Sequence, residues 1–246
     1  MPAHLQTLLQ QRTRFRNLVH VPSCTSTQDL AAAAPRDGDA IFRTDHQTKG
    51  RGRQAREWHD EPGLDLAVTF RVTISLPQPL ALPAALPVAV LQACEPLAGR
   101  PLRIKWPNDL FLDGRKLSGV LIDAGVGGPD TYLIGIGINC NRTRFPRDLE
   151  AIACSLATAT GHDVDRDALL LTLAERLDAM LVDLQARRHE RLEALFRERL
   201  GFVGKPVVID AGAQHTGELR GIDFQRLELD GGRTFPLAIV RAIRPR

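Results

Sequence analysis

Pro62-Gly63 is the pair of residues that most restricts how this chain can fold. Just before it, in TDHQTKGRGRQAREW (residues 44–58), Gly50-x-Gly52-x-x-Ala55 satisfies the loose G-x-G-x-x-G/A spacing of a dinucleotide-binding turn. Such a turn needs a crossover helix that begins at its glycines, with an acidic residue about 20 positions further on. Here the segment after Ala55 is REWHDEPG, which is very polar and is stopped by the Pro-Gly pair before a crossover helix can form. A doubly wound parallel sheet built on this turn is excluded, and the cations of the loop need another explanation.

A plain solvated loop is the simplest one. A nucleic-acid patch is the second: Lys49, Arg51, Arg53 and Arg56 would neutralise phosphates, with Trp58 as a stacking platform. Nothing extends these cations into a stripe, however, and Glu57, Asp60 and Glu61 follow at once. The formal charge of +3, from 32 basic and 29 acidic residues, is too mild for a dedicated nucleic-acid binder. The N-terminal segment is also too short for a helix-turn-helix. A compact polyanion fits better. Gly-Arg-Gly-Arg alternation offers exposed backbone N–H groups and guanidinium forks, a combination suited to a nucleotide triphosphate. Each charge-assisted contact is worth roughly 1.5–3 kcal/mol. Its glycines predict a loop that is disordered when empty and folds over its ligand.

Along the chain, HLQTLLQQRTRF offers no more than a turn or two of amphipathic helix. VHVPSCTSTQDLAAAA reads as a strand end, a polar turn and a helix capped by Ser26 or Thr27. DAIFRTDHQ is a second strand. Strict alternation of Leu66, Val68, Phe70, Val72 and Ile74 predicts a half-buried strand. Residues 80–98 read as a helix despite Pro83 and Pro87, and the prolines of ISLPQPLALPAALPVAVLQA argue against a membrane span. PLRIKWPNDLFLDGRKLSGVLIDA reads as a hairpin and TYLIGIGINCN as a strand whose glycines permit close backbone approach. Leu169, Leu173, Leu177, Met180, Leu181 and Leu184 step at helical spacing, and Leu192, Leu195, Phe196 and Leu200 continue the pattern until Gly201 and Gly204 end it. The remainder is a run of short strands with glycine turns, suggesting a small β-barrel after a boundary near Gly204. Cys24, Cys94, Cys140 and Cys154 are scattered, with no C-x-x-C, and read as reduced core residues. With no signal peptide at its start, a cytoplasmic protein is the default.

Four separated segments then read together: TSTQ (25–28), HQTKGRGRQAREW (46–58), KWPNDL (105–110) with KLSGVLID (116–123), and GIGIN (135–139). In this order and spacing they resemble the biotin protein ligase family, and the resemblance covers almost the whole chain. It implies an α/β fold of α+β type: a mixed-sheet catalytic domain of the biotin/lipoate ligase superfamily over residues 1–203, followed by an SH3-like β-barrel over 204–246. It also implies two steps. Biotin and ATP, with Mg2+, form biotinyl-5′-adenylate and release pyrophosphate. A lysine of the biotin carboxyl carrier protein of acetyl-CoA carboxylase then attacks, and AMP leaves. Neither step needs a protein nucleophile, and the sequence offers none, since its serines lack a local His/Asp arrangement. What the reaction needs is two anions held together while charge is neutralised.

Carried over residue by residue, the resemblance assigns Ser26, Thr27 and Gln47 to the biotin ureido ring, with backbone and loop contacts from Gly50 and Arg51. Arg53 would meet the biotin carboxylate and then the adenylate phosphate, Arg56 the outgoing pyrophosphate, and Trp58 would pack near adenine. Lys105, Asn108 and Asp109 would lie at the phosphates, with Asp109 contacting Mg2+ through water. Lys116 would bridge the carboxylate and α-phosphate as the essential charge stabiliser, Gly119 would let the strand backbone approach the ligand, and Asn139 would face adenine. Plainer readings exist for several: Ser26 as a helix cap, Lys116 as a strand-edge lysine, Asn108-Asp109 as turn chemistry, Gly135 and Gly137 as bulge glycines, and Trp106 as core.

Departures from the family pattern are few. Lys49 stands where a small residue is usual, Gln28 where asparagine is common, and Ala55 where glycine is common and should stiffen the loop. Some members carry an N-terminal DNA-binding domain and repress transcription. This chain starts at the catalytic part, so no DNA partner and no membrane are expected. Homodimers, which family members can form through sheet edges, have no decisive signal here. A lipoate ligase-like acyltransferase is the alternative within the superfamily, and a non-catalytic biotin sensor the alternative outside catalysis. The GRGRQ loop argues against the first, and Lys105, Asp109 and Lys116 against the second.

Overall fold

The structure is a computed structural model that describes residues 2–246, the side chains of Pro2, Ala3 and Ala55 excepted. Its elements run α1 (Pro2–Arg12), β1 (Asn17–Val21), α2 (Thr27–Ala33), β2 (Ala40–Thr44), β3 (Leu66–Thr73), α3 (Leu82–Ala98), β4 (Arg103–Lys105), β5 (Asp109–Leu112), β6 (Arg115–Ala124) and β7 (Thr131–Ile138). There follow α4 (Leu156–Thr160), α5 (Arg166–Gln185), α6 (Glu190–Leu200), β8 (Pro206–Asp210), β9 (Gln214–Ile222), β10 (Arg226–Leu229), β11 (Arg233–Pro236) and β12 (Ala242–Pro245). The first seven strands form one mixed sheet in the order β1-β2-β3-β7-β6-β5-β4, in which only β1 and β2 run parallel. The last five form an antiparallel sheet in the order β11-β10-β9-β8-β12. The chain is thus the mixed α/β protein that was expected, with a small SH3-like β-unit at its C-terminal end.

Strand β3 is the centre of the core, and its alternation has a different meaning from the one the sequence suggests. Val68, Phe70 and Val72 enter the main core, where Phe70 lies 5.0 Å from the Phe15 ring. Thr69 and Arg71, on the other face, are also buried, because α2 covers them. Thr69 Oγ1 donates to Thr27 Oγ1 at 2.9 Å, and Arg71 donates to the Ala34 carbonyl at 3.2 Å while lying over the Phe42 ring. The strand is fully rather than half buried, and its polar face is partnered inside the protein instead of by water.

Four further expectations are corrected. The N-terminal segment is a complete helix, α1, because Leu5 and Leu9 find a hydrophobic seat in the core. The late helical pattern is two helices, broken where Arg187 takes a left-handed φ of 54°, although the apolar spacing continues across the break. The single expected hairpin is a three-stranded meander, since β4 also pairs with β5 around the Trp-Pro-Asn turn. The segment Pro79–Ala98 is long and apolar enough to cross a membrane by length and composition, prolines notwithstanding, but most of it is buried within the protein, as in a core helix. Pro83 is tolerated because it falls in the first turn of α3, where no helical acceptor awaits its missing N–H.

The two sheets share one hydrophobic core. Trp106 is its hinge-pin: the indole Nε1 donates to the Val240 carbonyl at 2.7 Å, and the ring meets Phe196 edge-on at 6.1 Å. Phe196 in turn packs edge-on to Phe224 at 5.6 Å. All four cysteines are free thiols, and three are buried. Burial raises the thiol of Cys94 to about 12 and that of Cys154 to about 11, which makes both unreactive.

Candidate functional site

The N-terminus of α2, the basic loop, the β4–β5 turn and the glycines of β6 and β7 meet around one cavity of about 330 Å³. That volume falls within the usual range for small-molecule sites. Gly135 and Gly137 pair in unbroken register with β3 and with β6, so they are not bulge glycines.

One end of the cavity is built from neutral hydrogen-bonding groups. Ser26 caps α2 by accepting the Gln28 N–H at 3.2 Å, so the cap expected from the sequence is Ser26, which also lines the cavity. Thr27 donates its N–H (2.9 Å) and its hydroxyl (3.3 Å) to Gln47 Oε1. With that carbonyl occupied, the Gln47 amide has its NH₂ left to donate into the cavity. Asp60, whose carboxylate accepts the Gln47 backbone N–H at 3.1 Å, fixes the residue from behind. Gln28 also lines this end.

The other end is cationic. Lys116 Nζ lies 2.7 Å from Asp109 Oδ1, across the β5–β6 pair. Arg53 donates to Asn108 Oδ1 at 3.3 Å, while Asn108 Nδ2 is anchored on the Val120 carbonyl at 2.8 Å. Burial, reinforced by Arg56, holds the Arg53 guanidinium below its ordinary pKa even though Asp109 opposes the shift. Lys105 stacks its ammonium over Phe111 at 4.8 Å, and Arg56 leans on Gln54. Arg241, just before β12 of the second sheet, completes the rim. No local pattern marks Arg241 in the sequence; the Trp106–Val240 contact carries it there.

Between the two ends lies Trp58. A Cβ at Gly137 would come within 2.3 Å of its indole, and one at Gly119 within 3.2 Å. Lys116 Nζ sits 5.6 Å above the same ring. The glycines therefore give room first to Trp58 and Lys116. The loop also has a defined path here. Trp58 N–H donates to the Gly50 carbonyl at 3.0 Å, and Arg51 pairs with Asp29 at 2.8 Å and Asp123 at 3.1 Å.

Two of the expected site residues do not line the cavity. Gly50 is buried in the loop's own turn, where a Cβ would come within 2.3 Å of the Trp58 carbonyl. Asn139 is buried with both ends of its amide engaged: Nδ2 donates to the Cys154 carbonyl at 2.9 Å, and Oδ1 accepts from Arg142 at 2.7 Å. Arg142 also holds the His59 carbonyl at 2.7 Å and pairs with buried Asp65 at 2.9 Å. Burial pushes the Asp65 carboxyl up to about 6, against the pull of Arg142. This network ties the base of the loop to the strand that carries Lys116. Lys49 is exposed, and its backbone N–H donates to the Thr25 carbonyl at 2.9 Å.

Fold and site together define a cavity with neutral hydrogen-bonding groups at one end and cationic side chains at the other. The sequence profile of the biotin/lipoate A/B protein ligase family matches residues 21–141. A biotin--[acetyl-CoA-carboxylase] ligase of Paracoccus denitrificans is 32% identical over 216 residues, covering 81% of this chain and 87% of that protein. The bifunctional ligase/repressor BirA of Bacillus spizizenii is 35% identical over 172 residues, covering 66% of this chain, which spans about half (53%) of that relative's length. The biotin protein ligase from Aquifex aeolicus, solved in complex with biotin and ATP, superimposes with a TM-score of 0.82 at 26% identity, covering 94% of this chain and 100% of that one. The chain belongs to the biotin/lipoate A/B protein ligase family.

Proposed function

We propose that the protein is a biotin protein ligase that activates biotin with ATP to biotinyl-5′-AMP and transfers it to a lysine of the biotin carboxyl carrier protein of acetyl-CoA carboxylase. The observation that carries this reading is the polarity of the cavity, with amides and hydroxyls at the α2 end and Lys116, Arg53 and Lys105 at the other. A bicyclic urea with a carboxylate tail has that same polarity.

The chain's own groups account for the chemistry. Thr27 and Gln47 fix the ring. Lys116 and Arg53 draw the carboxylate and the α-phosphate together by neutralising both, which lowers the barrier to their approach. Trp58 screens the reacting atoms from water, and Arg56, Asn108 and Arg241 take the departing pyrophosphate. Mg2+ supplies further charge neutralisation on the phosphates when bound. Among the described residues there is no group of three His, Cys, Asp or Glu side chains able to hold a metal. Asp109 alone suits an ion that keeps its waters and is held mainly by the nucleotide. Residues 1–203 form the catalytic unit and 204–246 the appended β-unit in this reading. The free cysteines fit a reducing, cytoplasmic setting.

The test is ATP–pyrophosphate exchange with biotin against lipoate. Exchange with biotin alone is expected; exchange with lipoate alone, or with neither, would refute the proposal. A lipoate enzyme is disfavoured because a dithiolane would leave the amide end of the cavity without partners.

A further inference from the structure

Gln28, the last residue of TSTQ, lines the cavity and carries an unmet polar need. It is 3% exposed, and its Oε1 is buried with no hydrogen-bond partner among the described residues. The amide cannot relieve this by turning over. Its Nε2 donates to Asp123 Oδ2 at 3.1 Å and lies 3.4 Å from the Leu133 carbonyl, and both neighbours are acceptors. A flipped amide would set oxygen against two oxygens. Gly135 makes room for this arrangement, since a Cβ there would lie 3.2 Å from Gln28 Cδ and 3.3 Å from Oε1. A buried acceptor held in one orientation, on a side chain that lines a ligand cavity, calls for a donor.

Gln47 presents the opposite character nearby, because its Oε1 is used by Thr27 and its NH₂ is the free end. A cyclic urea offers one carbonyl flanked by two N–H groups. An acceptor beside a donor is the complement of half of that pattern.

We infer that Gln28 Oε1 accepts one ring N–H of the substrate's cyclic urea, and that Asp123 is the positioning residue that fixes the amide for it. This rests on the proposed biotin substrate. Asp123 does a second job at the same oxygen, where it also holds Arg51 of the basic loop at 3.1 Å. Recognition of the ring and the closed path of the loop therefore lean on one carboxylate.

The probes are biotin and its two ureido N-methylated derivatives, one on each nitrogen, each titrated calorimetrically against the full chain. In the wild type, one derivative is expected to bind about 5- to 150-fold more weakly than biotin because the methyl removes the N–H that Oε1 accepts. Gln28→Met should lose a similar factor for biotin and should no longer disfavour that derivative beyond the other. Biotin bound by Gln28→Met within twofold of wild type, or the preference kept intact, overturns the inference. Because Gln28→Met can fail through misfolding, Asp123→Ala provides a second arm. It should weaken the discrimination between the two derivatives and raise KM for biotin. Asp123→Asn, which keeps an oxygen for Nε2, should restore the discrimination. An unchanged preference in Asp123→Ala removes the positioning role. A wild-type protein that binds no biotin at all overturns the proposed function as well, so the two failures are distinguishable.

Discussion

Lys116→Met separates a catalytic role for this lysine from a structural one. The side chain is 34% exposed and its partner Asp109 21%, at a separation of 2.7 Å. A pair this open to solvent contributes about 0.2–1 kcal/mol to stability. Methionine keeps the length of the side chain and much of its packing over Trp58, so thermal unfolding should shift by only a few degrees. The effect on reaction is far larger. One charge acting on a phosphate oxygen at about 4 Å, with an effective dielectric of 20, is worth about 4 kcal/mol. That corresponds to about a thousandfold in the rate of adenylate formation. Biotin-dependent pyrophosphate exchange measures the rate, and a melting curve on the same preparation measures the fold. Exchange at the wild-type rate would refute the charge argument. A loss of activity matched by gross unfolding would show the lysine to be structural instead.

Gly137→Ala places a methyl where the indole of Trp58 now lies, and overpacking of this kind costs about 1–3 kcal/mol. Trp58 should be expelled towards solvent and its fluorescence should shift to the red. The only other tryptophan, Trp106, is buried and keeps its bond to Val240, so an unchanged spectrum would show that Trp58 does not rest on Gly137. Asp65, raised from 3.8 to about 6 by burial, binds its proton more tightly in the folded than in the unfolded protein. Its contribution to stability is fully present below about pH 4 and falls as pH rises through 6. The stability difference between wild type and Asp65→Asn should therefore decline across that window in urea unfolding. A flat difference would mean that Arg142 holds the carboxylate ionised throughout.

What was legible in the sequence was whatever is encoded locally. TSTQ, GRGRQ, KWPND, KLSG and GIGIN each contribute residues to one cavity, and the strands and caps around them follow from alternation and capping chemistry. What was not legible depends on partners distant in sequence. The polar face of β3 looks solvent-exposed because nothing near Thr69 or Arg71 announces that α2 will cover them. The break at Arg187 is invisible because leucine spacing continues through it. Gln28 reads as the second residue of a helix until Asp123, 95 positions away, fixes its amide. Gly50 and Asn139 show the converse: their motif positions are beside the cavity, but local hydrogen bonds turn them away from it.

The contact of Trp106 with Val240, continued through Phe196 to Phe224, has a mechanical consequence. The turn that carries Lys105, Asn108 and Asp109 is bolted to the second sheet through the ring that follows Lys105. A displacement of Val240, just ahead of β12, would reach the β4–β5 turn at the cationic end of the cavity directly through the Trp106 indole. The small sheet thus forms a wall of the cavity, with Arg241 and Ala242 lining it beside Lys105, Asn108 and Asp109.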